Sequence, residues 1–178
     1  MIVLIGASAS GKTEIAKILV KKGFKKCITT TTREKRINEV EGVDYHFVTK
    51  EQFNSLLLKN SFVEVTHYQN NFYGTNKKDL DLDGLIIVDP NGANAIVQLL
   101  GKNAFVVLIK SSKKVREERM RSRKDDEVQI KVRLLNDDAI FKKKNLYKTN
   151  LILKNDDETL EELAETISKK YKEYKKNS

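Results

Sequence analysis

A chain of 178 residues is long enough for one domain with a full hydrophobic core. Its 34 basic and 25 acidic residues give a net charge of +9, but the lysines are spread along the whole chain, which favours a solvated surface over a nucleic-acid groove. No apolar run has the length of a membrane span and no basic segment precedes the first apolar run, so we expect neither a membrane partner nor a signal peptide.

The first predicted strand, residues 1–5, runs directly into a glycine-rich loop. The loop consists of Gly6, Ala7, Ser8, Ala9, Ser10, Gly11, Lys12 and Thr13. A helical pattern follows over residues 14–20. This order of strand, loop and helix is typical of a P-loop, which binds a nucleotide polyphosphate with backbone N–H groups and a helix N-terminus. Lys12 would reach the β- and γ-phosphates, and the Thr13 hydroxyl would bind Mg²⁺.

The segment after the first helix departs from a simple alternation of strands and helices. Residues 26–30 read as a second strand, whose Cys27 is the only cysteine and indicates a reduced, cytoplasmic setting. Residues 31–42 are polar and rich in turn formers. Shorter patterns then predict a strand at 45–49, a helix at 50–58 and strands at 62–68 and 72–75. We therefore predict a small α+β module over residues 31–75.

The alternation resumes with an apolar strand at residues 85–89, which ends in Asp89. Strands at 105–109 and 151–153 alternate with helices at 93–100, 112–123 and 159–174, and with a longer helix through Ile130, Leu134, Ala139 and Phe141. Together with the two earlier strands, this pattern predicts an α/β fold with a five-stranded parallel sheet. Ligands of such sheets bind at the carboxyl ends of the strands, where Gly6, Thr29 and Asp89 lie.

The arginines are not distributed like the lysines. All seven lie in two segments, as Arg33 and Arg36 and as Arg116, Arg119, Arg121, Arg123 and Arg133. Arginine binds phosphate through a planar, bidentate fork. Arg116, Arg119 and Arg123 are spaced so that they share one helix face. We therefore expect both segments to contribute to phosphate binding.

Taken together, these motifs resemble the guanylate kinase family. The P-loop is followed by Thr-Thr-Thr-Thr-Arg-x-x-Arg-x-x-Glu-x-x-Gly-x-Asp-Tyr at residues 29–45, by Phe62-Val63-Glu64 and by Tyr73-Gly74-Thr75. The resemblance covers nearly the whole chain. It implies the three-layer fold of P-loop NTPases with three parts: a core at residues 1–30, 76–118 and 134–178, an inserted NMP-binding module at 31–75 and a helical lid at 119–133.

The resemblance also implies roles for individual residues. The phosphate of GMP would be bound by Thr29, Arg33, Arg36, Tyr45 and Tyr73. Guanine would be bound by Glu64, Thr75 and Asp89. ATP would be bound by the P-loop, residues 6–13, and by Asn155. The catalytic residues would be Lys12 and the lid arginines Arg119, Arg123 and Arg133.

The chemistry of the residues agrees with these roles, although the chain also departs from the family. A carboxylate such as Glu64 matches the two donors of guanine, N1–H and the N2 amine, and a hydroxyl such as Thr75 can serve O6. Ile87, however, stands where the family usually has a first Asp, two residues before Asp89. Pro90, the only proline, is also unexpected in that turn.

The predicted function is therefore transfer of the γ-phosphoryl group from ATP, with Mg²⁺, to GMP or dGMP. The acceptor is already an ionised phosphate, so the reaction needs no general base, and positioning with charge neutralisation can suffice. A related kinase with a phosphorylated-sugar acceptor and a non-catalytic guanylate-kinase-like interaction module remain as alternatives. A nucleic-acid binder is the weakest alternative, and the sequence leaves the choice between monomer and homodimer open.

Overall fold

The computed structural model describes residues 1–37, 39–68 and 70–177, and in them eight strands and six α-helices follow one another. The strands are β1 (Ile2–Ile5), β2 (Thr29–Thr31), β3 (His46–Phe47), β4 (Phe62–Tyr68), β5 (Asn71–Asn76), β6 (Leu85–Ile87), β7 (Phe105–Lys110) and β8 (Leu151–Lys154). The helices are α1 (Lys12–Lys21), α2 (Lys50–Leu58), α3 (Pro90–Leu100), α4 (Lys113–Ser122), α5 (Glu127–Ile140) and α6 (Leu160–Lys176). Each predicted element is present, with its ends moved by a few residues.

A parallel sheet with the strand order β6-β1-β7-β8 forms the centre of the fold. The first strand lies inside this sheet, where Ile2 is opposite Leu85 on one side and Phe105 on the other. All four residues of β1 are fully buried, because both faces of the sheet are covered by helices. The P-loop therefore starts from the most enclosed strand of the molecule.

The helices complete three layers. Helices α1 and α6 cover one face of the sheet through a cluster that includes Ile15, Leu19 and Ile167. Helix α3 covers the other face, where Ile96 packs in a cluster with Val3. In the described part of the chain, no helix is both long enough and apolar enough to span a bilayer.

The predicted five-stranded parallel sheet has four strands among the described residues. In the segment expected to form the fifth, only Lys26 makes an isolated parallel bridge, to Leu85. The chain then turns so that Thr29–Thr31 pairs antiparallel with β5 in a second sheet. Buried threonine hydroxyls need hydrogen-bond partners, and the second sheet supplies one, because Thr31 Oγ1 donates to the carbonyl of Phe72 at 2.9 Å.

The second sheet has the strand order β3-β2-β5-β4 and corresponds closely to the predicted α+β module. Helix α2 begins with a capping box, in which Thr49 and Gln52 bond each other's backbone N–H. The helix packs Phe53 against Phe62, with ring centroids 4.6 Å apart, and against Phe72 at 5.6 Å. This small aromatic core holds the module together beside the P-loop.

Candidate functional site

The conformation of the P-loop requires glycine at two of its positions, 6 and 11. Gly11 has a φ of 97°, and a Cβ there would lie 2.1 Å from Asn155 Nδ2. A Cβ on Gly6 would lie 2.3 Å from the carbonyl oxygen of Ile109. Both positions therefore exclude a side chain, and helix α1 begins directly after the loop, at Lys12.

Two predicted site residues, Asn155 and Arg119, donate hydrogen bonds to backbone carbonyls of the P-loop. The Asn155 amide, which is 2% exposed, donates to the Ser10 carbonyl at 2.8 Å. Arg119 donates to the Asn155 carbonyl at 3.0 Å and to the Ala9 carbonyl at 3.3 Å. Both side chains are engaged with the protein. The assignment of Asn155 to ATP binding and of Arg119 to catalysis therefore stays a prediction.

Lys12 is held inside the loop. Its Nζ donates to the carbonyls of Gly6 and Ala7 at 2.6 and 2.9 Å. Burial lowers the pKa of Lys12 to about 8, and the positive charge of Arg123 acts in the same direction, whereas Asp137 raises it. The ammonium group is thus still charged at neutral pH and is fixed beside the loop N–H groups.

Thr13 lies in the first turn of α1 and is exposed. It lines a small cleft together with Arg36 and Ile87. Among the described residues, no group of three or more His, Cys, Asp or Glu side chains could hold a metal ion. A metal here would take most of its ligands from phosphate and water, which is how Mg²⁺ is usually bound at such sites. The open Thr13 hydroxyl fits that role.

A larger cleft lies between the P-loop and the second sheet. Lys12 lines it from the P-loop, and Tyr45, Glu64 and Tyr73 line it from the second sheet. Asp89, at the end of β6, lines it as well. Predicted residues of the donor site and of the acceptor site therefore face a common space, whereas Thr13 and Arg36 line the smaller cleft.

Three predicted acceptor residues lie side by side on neighbouring strands. Thr75 is opposite Thr29 on one side and Glu64 on the other. The Thr75 hydroxyl donates to Glu64 Oε1 at 2.5 Å. Burial raises the pKa of Glu64 to about 7, and the nearby charge of Asp89 adds to this effect. The Glu64 carboxylate thus lies on the wall of the cleft, and the fully buried Thr75 hydroxyl is engaged with it.

Asp89 has a structural role that explains the unexpected proline. It is the N-cap of α3, and its carboxylate accepts a hydrogen bond from the Gly92 N–H at 2.8 Å. Pro90 occupies the first helical position, where a missing N–H costs no hydrogen bond. Burial raises the pKa of Asp89, although its hydrogen bonds oppose the shift.

The remaining acceptor residues form a cationic and phenolic group. Arg33 lies over the Tyr45 ring, 5.3 Å from its centroid, and the rings of Tyr45 and Tyr73 are 6.2 Å apart. Arg33 Nη2 is 2.7 Å from Glu39 Oε1. Burial and the charge of Arg33 lower the pKa of Arg36. Glu39 was not among the predicted site residues, although the motif includes it. It binds the Arg33 guanidinium and also accepts from the Arg36 backbone N–H at 2.9 Å.

The other two arginines predicted for the lid meet at one carboxylate. Arg133 Nη1 and Arg123 Nη2 lie 3.0 and 3.2 Å from Asp125 Oδ2. The charge of Arg133 also contributes to the lowered pKa of Arg36. Arg133, in α5, therefore lies close enough to Arg36 for the two charges to interact.

The sequence grouped Arg116 with Arg119 and Arg123, but the structure separates it from them. Arg116 is only 4% exposed, and its guanidinium is 3.3 Å from Asp137 Oδ2 and 3.0 Å from Asp138 Oδ1. It is thus part of a buried ion pair between α4 and α5 rather than of an open face.

Asp137 lies in the cleft and was not predicted as a site residue. Its Oδ2 accepts a hydrogen bond from the Ser8 N–H of the P-loop at 2.7 Å. The sequence contains an indication of this role, because Asp137 continues the helix face of Ile130 and Leu134, where helical periodicity favours an apolar residue. Ala139, which the sequence placed in this helix pattern, is exposed instead.

Comparisons with known proteins agree in their result. A family model described as guanylate kinase matches residues 1–170. A guanylate kinase from Rickettsia felis is 33% identical over 178 residues, covering 94% of this chain and 92% of its own. One from Mycoplasma genitalium is 31% identical, covering 93% and 73%. The crystal structure of guanylate kinase from Anaplasma phagocytophilum is similar with a TM-score of 0.73 and 26% identity, covering 95% of this chain and 82% of that one.

Proposed function

This chain belongs to the guanylate kinase family, and from that premise we propose that it transfers the γ-phosphoryl group of ATP to GMP, forming ADP and GDP. The single observation that carries the proposal is the common cleft, which joins the P-loop lysine Lys12 to the buried carboxylate of Glu64. We also propose a cytoplasmic location, because the only cysteine, Cys27, is a buried free thiol.

The donor triphosphate would be bound by the N–H groups of the P-loop and by Lys12. The Thr13 hydroxyl would hold Mg²⁺, which when bound with ATP neutralises phosphate charge. Lys12 donates to two loop carbonyls, at 2.6 and 2.9 Å, so its ammonium group lies at the loop. The donor phosphate oxygens would replace these carbonyls as its partners.

The acceptor would be bound at two points. Arg33, Arg36 and the hydroxyls of Tyr45 and Tyr73 would bind the phosphate, with Thr29 beside them. The Glu64 carboxylate would accept from guanine N1–H and the N2 amine, and Thr75 and Asp89 would complete the base site. Holding both ends of GMP would fix its phosphate oxygen opposite the γ-phosphoryl group.

The proposed chemistry uses the charges of the chain and no general base. The attacking oxygen of GMP is already ionised, so the residues need only hold the two phosphates in line and stabilise the transferring group. We assign that stabilisation to Lys12, Arg119, Arg123 and Arg133, the arginines moving with a lid at residues 119–133. The NMP-binding module at 31–75 would close on the core from the opposite side.

Acceptor and lid arginines should give different kinetic signatures. Arg36→Met should raise KM for GMP by about 10-fold or more and leave KM for ATP nearly unchanged, because one charge-assisted contact to the acceptor is lost. Arg123→Met should mainly lower kcat, because its contact is proposed to strengthen as the lid closes. The measurement is ADP release by a coupled assay with each substrate varied.

Arg121 offers a matched control for these variants. Its guanidinium is half exposed and pairs with Glu117 and Glu127 on the surface of α4 and α5. Arg121→Met should therefore change neither KM nor kcat by more than about twofold, since exposed ion pairs contribute little. The same signature for Arg36→Met and Arg123→Met would contradict the division between acceptor module and lid.

Binding of GMP should weaken as the pH falls below 7. The pKa of Glu64 is raised to about 7, so the carboxylate that guanine needs is lost on acidification and fully present above that pH. KM for GMP should rise by up to about tenfold per pH unit below 7. Glu64→Gln is the control, because the GMP phosphate itself titrates near pH 6 and that effect alone would persist in the variant. Equal pH dependence of the two enzymes would refute the assignment.

A further inference from the structure

The P-loop carries an anionic group of the protein itself where a phosphate is expected. Asp137 Oδ2 accepts from the Ser8 N–H at 2.7 Å, and Ser8 is the third residue of the loop. The carboxylate is 1% exposed and lies on the wall of the same cleft as Lys12. Its charge also acts on the Lys12 ammonium.

A carboxylate and a phosphate make the same demand on this loop. Both present anionic oxygen atoms to backbone N–H groups and to a nearby ammonium group. A triphosphate bound to the P-loop would place further negative charge within a few ångströms of Asp137, in a partly enclosed site where like charges repel strongly. Binding of the triphosphate and binding of the Asp137 carboxylate at the loop therefore disfavour each other.

Arg116 holds the carboxylate in place from the other side. Its Nη1 is 3.3 Å from Asp137 Oδ2, and its Nη2 bonds Asp138. Its Nε–H is buried and has no hydrogen-bond partner within the described part of the chain. Arg116 thus has a spare donor, and it can keep Asp137 paired when the carboxylate leaves the loop.

We propose that Asp137 is an internal competitor for the donor phosphates, which holds the Ser8 N–H and is displaced from it when the triphosphate binds. Asp137 then determines donor affinity, since part of the binding free energy is used to move it. The inference rests on the proposed function in one respect, that the P-loop is the donor site. Asp137 lies one turn after Arg133 on α5. Its release from the Ser8 N–H would therefore connect triphosphate binding at the P-loop with the position of the lid.

The test is the affinity for inorganic tripolyphosphate and for Mg-ATP, measured by titration calorimetry on the full chain. Asp137→Asn should bind both about tenfold more tightly than the wild type, because one like charge is removed while an acceptor for Ser8 is kept. Asp138→Asn is the matched control, since Asp138 pairs with the same arginine but is 55% exposed and, among the described residues, makes no hydrogen bond or ion pair to the loop. Its affinities should stay within about twofold of the wild type.

Three further measurements make the test decisive. Thermal unfolding shows whether Asp137→Asn folds, and Asp137→Ser replaces it if it does not. A crystal structure of the wild type with tripolyphosphate should show the Asp137 carboxylate out of hydrogen-bond distance of the Ser8 N–H. Equal or weaker binding by the folded charge-free variant, or a retained Asp137–Ser8 bond in that complex, would overturn the proposal. Unchanged binding by Lys12→Ala would instead overturn the donor site itself, and the competitor with it.

Discussion

Replacing GMP by AMP as the acceptor should lower kcat/KM by about 10⁴ or more. Guanine presents N1–H and the N2 amine to the Glu64 carboxylate, whereas adenine presents a lone pair at N1 and has no N2 amine. The carboxylate is 8% exposed, so water does not replace the missing donors easily. With adenine, the buried carboxylate would keep only the Thr75 hydroxyl and lose both donors of guanine, and hydrogen-bonding sites discriminate strongly when such donors are missing.

The measurement is kcat/KM for GMP, dGMP, AMP, CMP and UMP with Mg-ATP as the donor. Glu64→Gln should lose most of the GMP activity, because the amide replaces one acceptor oxygen by a donor. Glu51→Gln is the matched control, since Glu51 is exposed in the first turn of α2. Comparable values for AMP and GMP would remove the guanine assignment, and activity with a phosphorylated sugar alone would replace it by the related kinase.

Lys12→Ala should lower kcat by about 10² to 10³, the usual effect of removing one preorganised charge contact from a transition state. The Nζ of Lys12 lies at the loop, where it donates to the carbonyls of Gly6 and Ala7, and this places a positive charge beside the expected position of the transferring group. The fold should persist, because the side chain belongs to the loop and is absent from the hydrophobic clusters of the described residues.

Lys17→Met provides the control on the same helix. Lys17 is exposed and pairs only with Glu14 among the described side chains, at 3.0 Å, so its loss should change kcat by less than about twofold. Circular dichroism and thermal unfolding should show that both variants are folded. Near wild-type turnover of a folded Lys12→Ala enzyme would mean that the P-loop is not the donor site.

Local patterns were enough to predict most elements of the fold and the P-loop. The apolar run before Gly6, the spacing of Gly11 and the helix pattern after Lys12 are all local signals, and the structure brings them together as expected. Ser112, the first residue of the helix predicted at 112–123, is the N-cap of α4, and its hydroxyl accepts from the Val115 N–H at 3.3 Å. Such signals depend on neighbours in sequence, so one sequence can show them.

The pairing of the second strand could not be predicted in the same way. A short run such as Ile28-Thr29-Thr30 fits a strand in either sheet, and the partner is decided by distant residues. Here the hydroxyl of Thr31 bonds the backbone of β5, which draws the strand into the second sheet. Because β propensity depends on tertiary context, strand existence was predictable and sheet membership was not.

The charged network around α5 was missed for a related reason. A helix face of arginines is usually solvated, so the sequence placed Arg116 with Arg119. The structure pairs Arg116 with Asp137, 21 residues away, and both are buried. Only tertiary structure shows that an acid at an inward position of α5 reaches the P-loop at Ser8. The sequence pattern alone shows that an acid stands at an inward position of α5, where an apolar residue is usual. It does not show which residue Asp137 contacts.

The most direct test of the proposed site is a crystal structure with GMP, Mg²⁺ and a non-hydrolysable ATP analogue bound together. We predict the triphosphate on the P-loop beside Lys12, guanine against Glu64 and Thr75, and the GMP phosphate between Arg36 and the γ-phosphate. GMP bound outside the cleft between the P-loop and the second sheet, or with its base away from Glu64, would contradict the assignment.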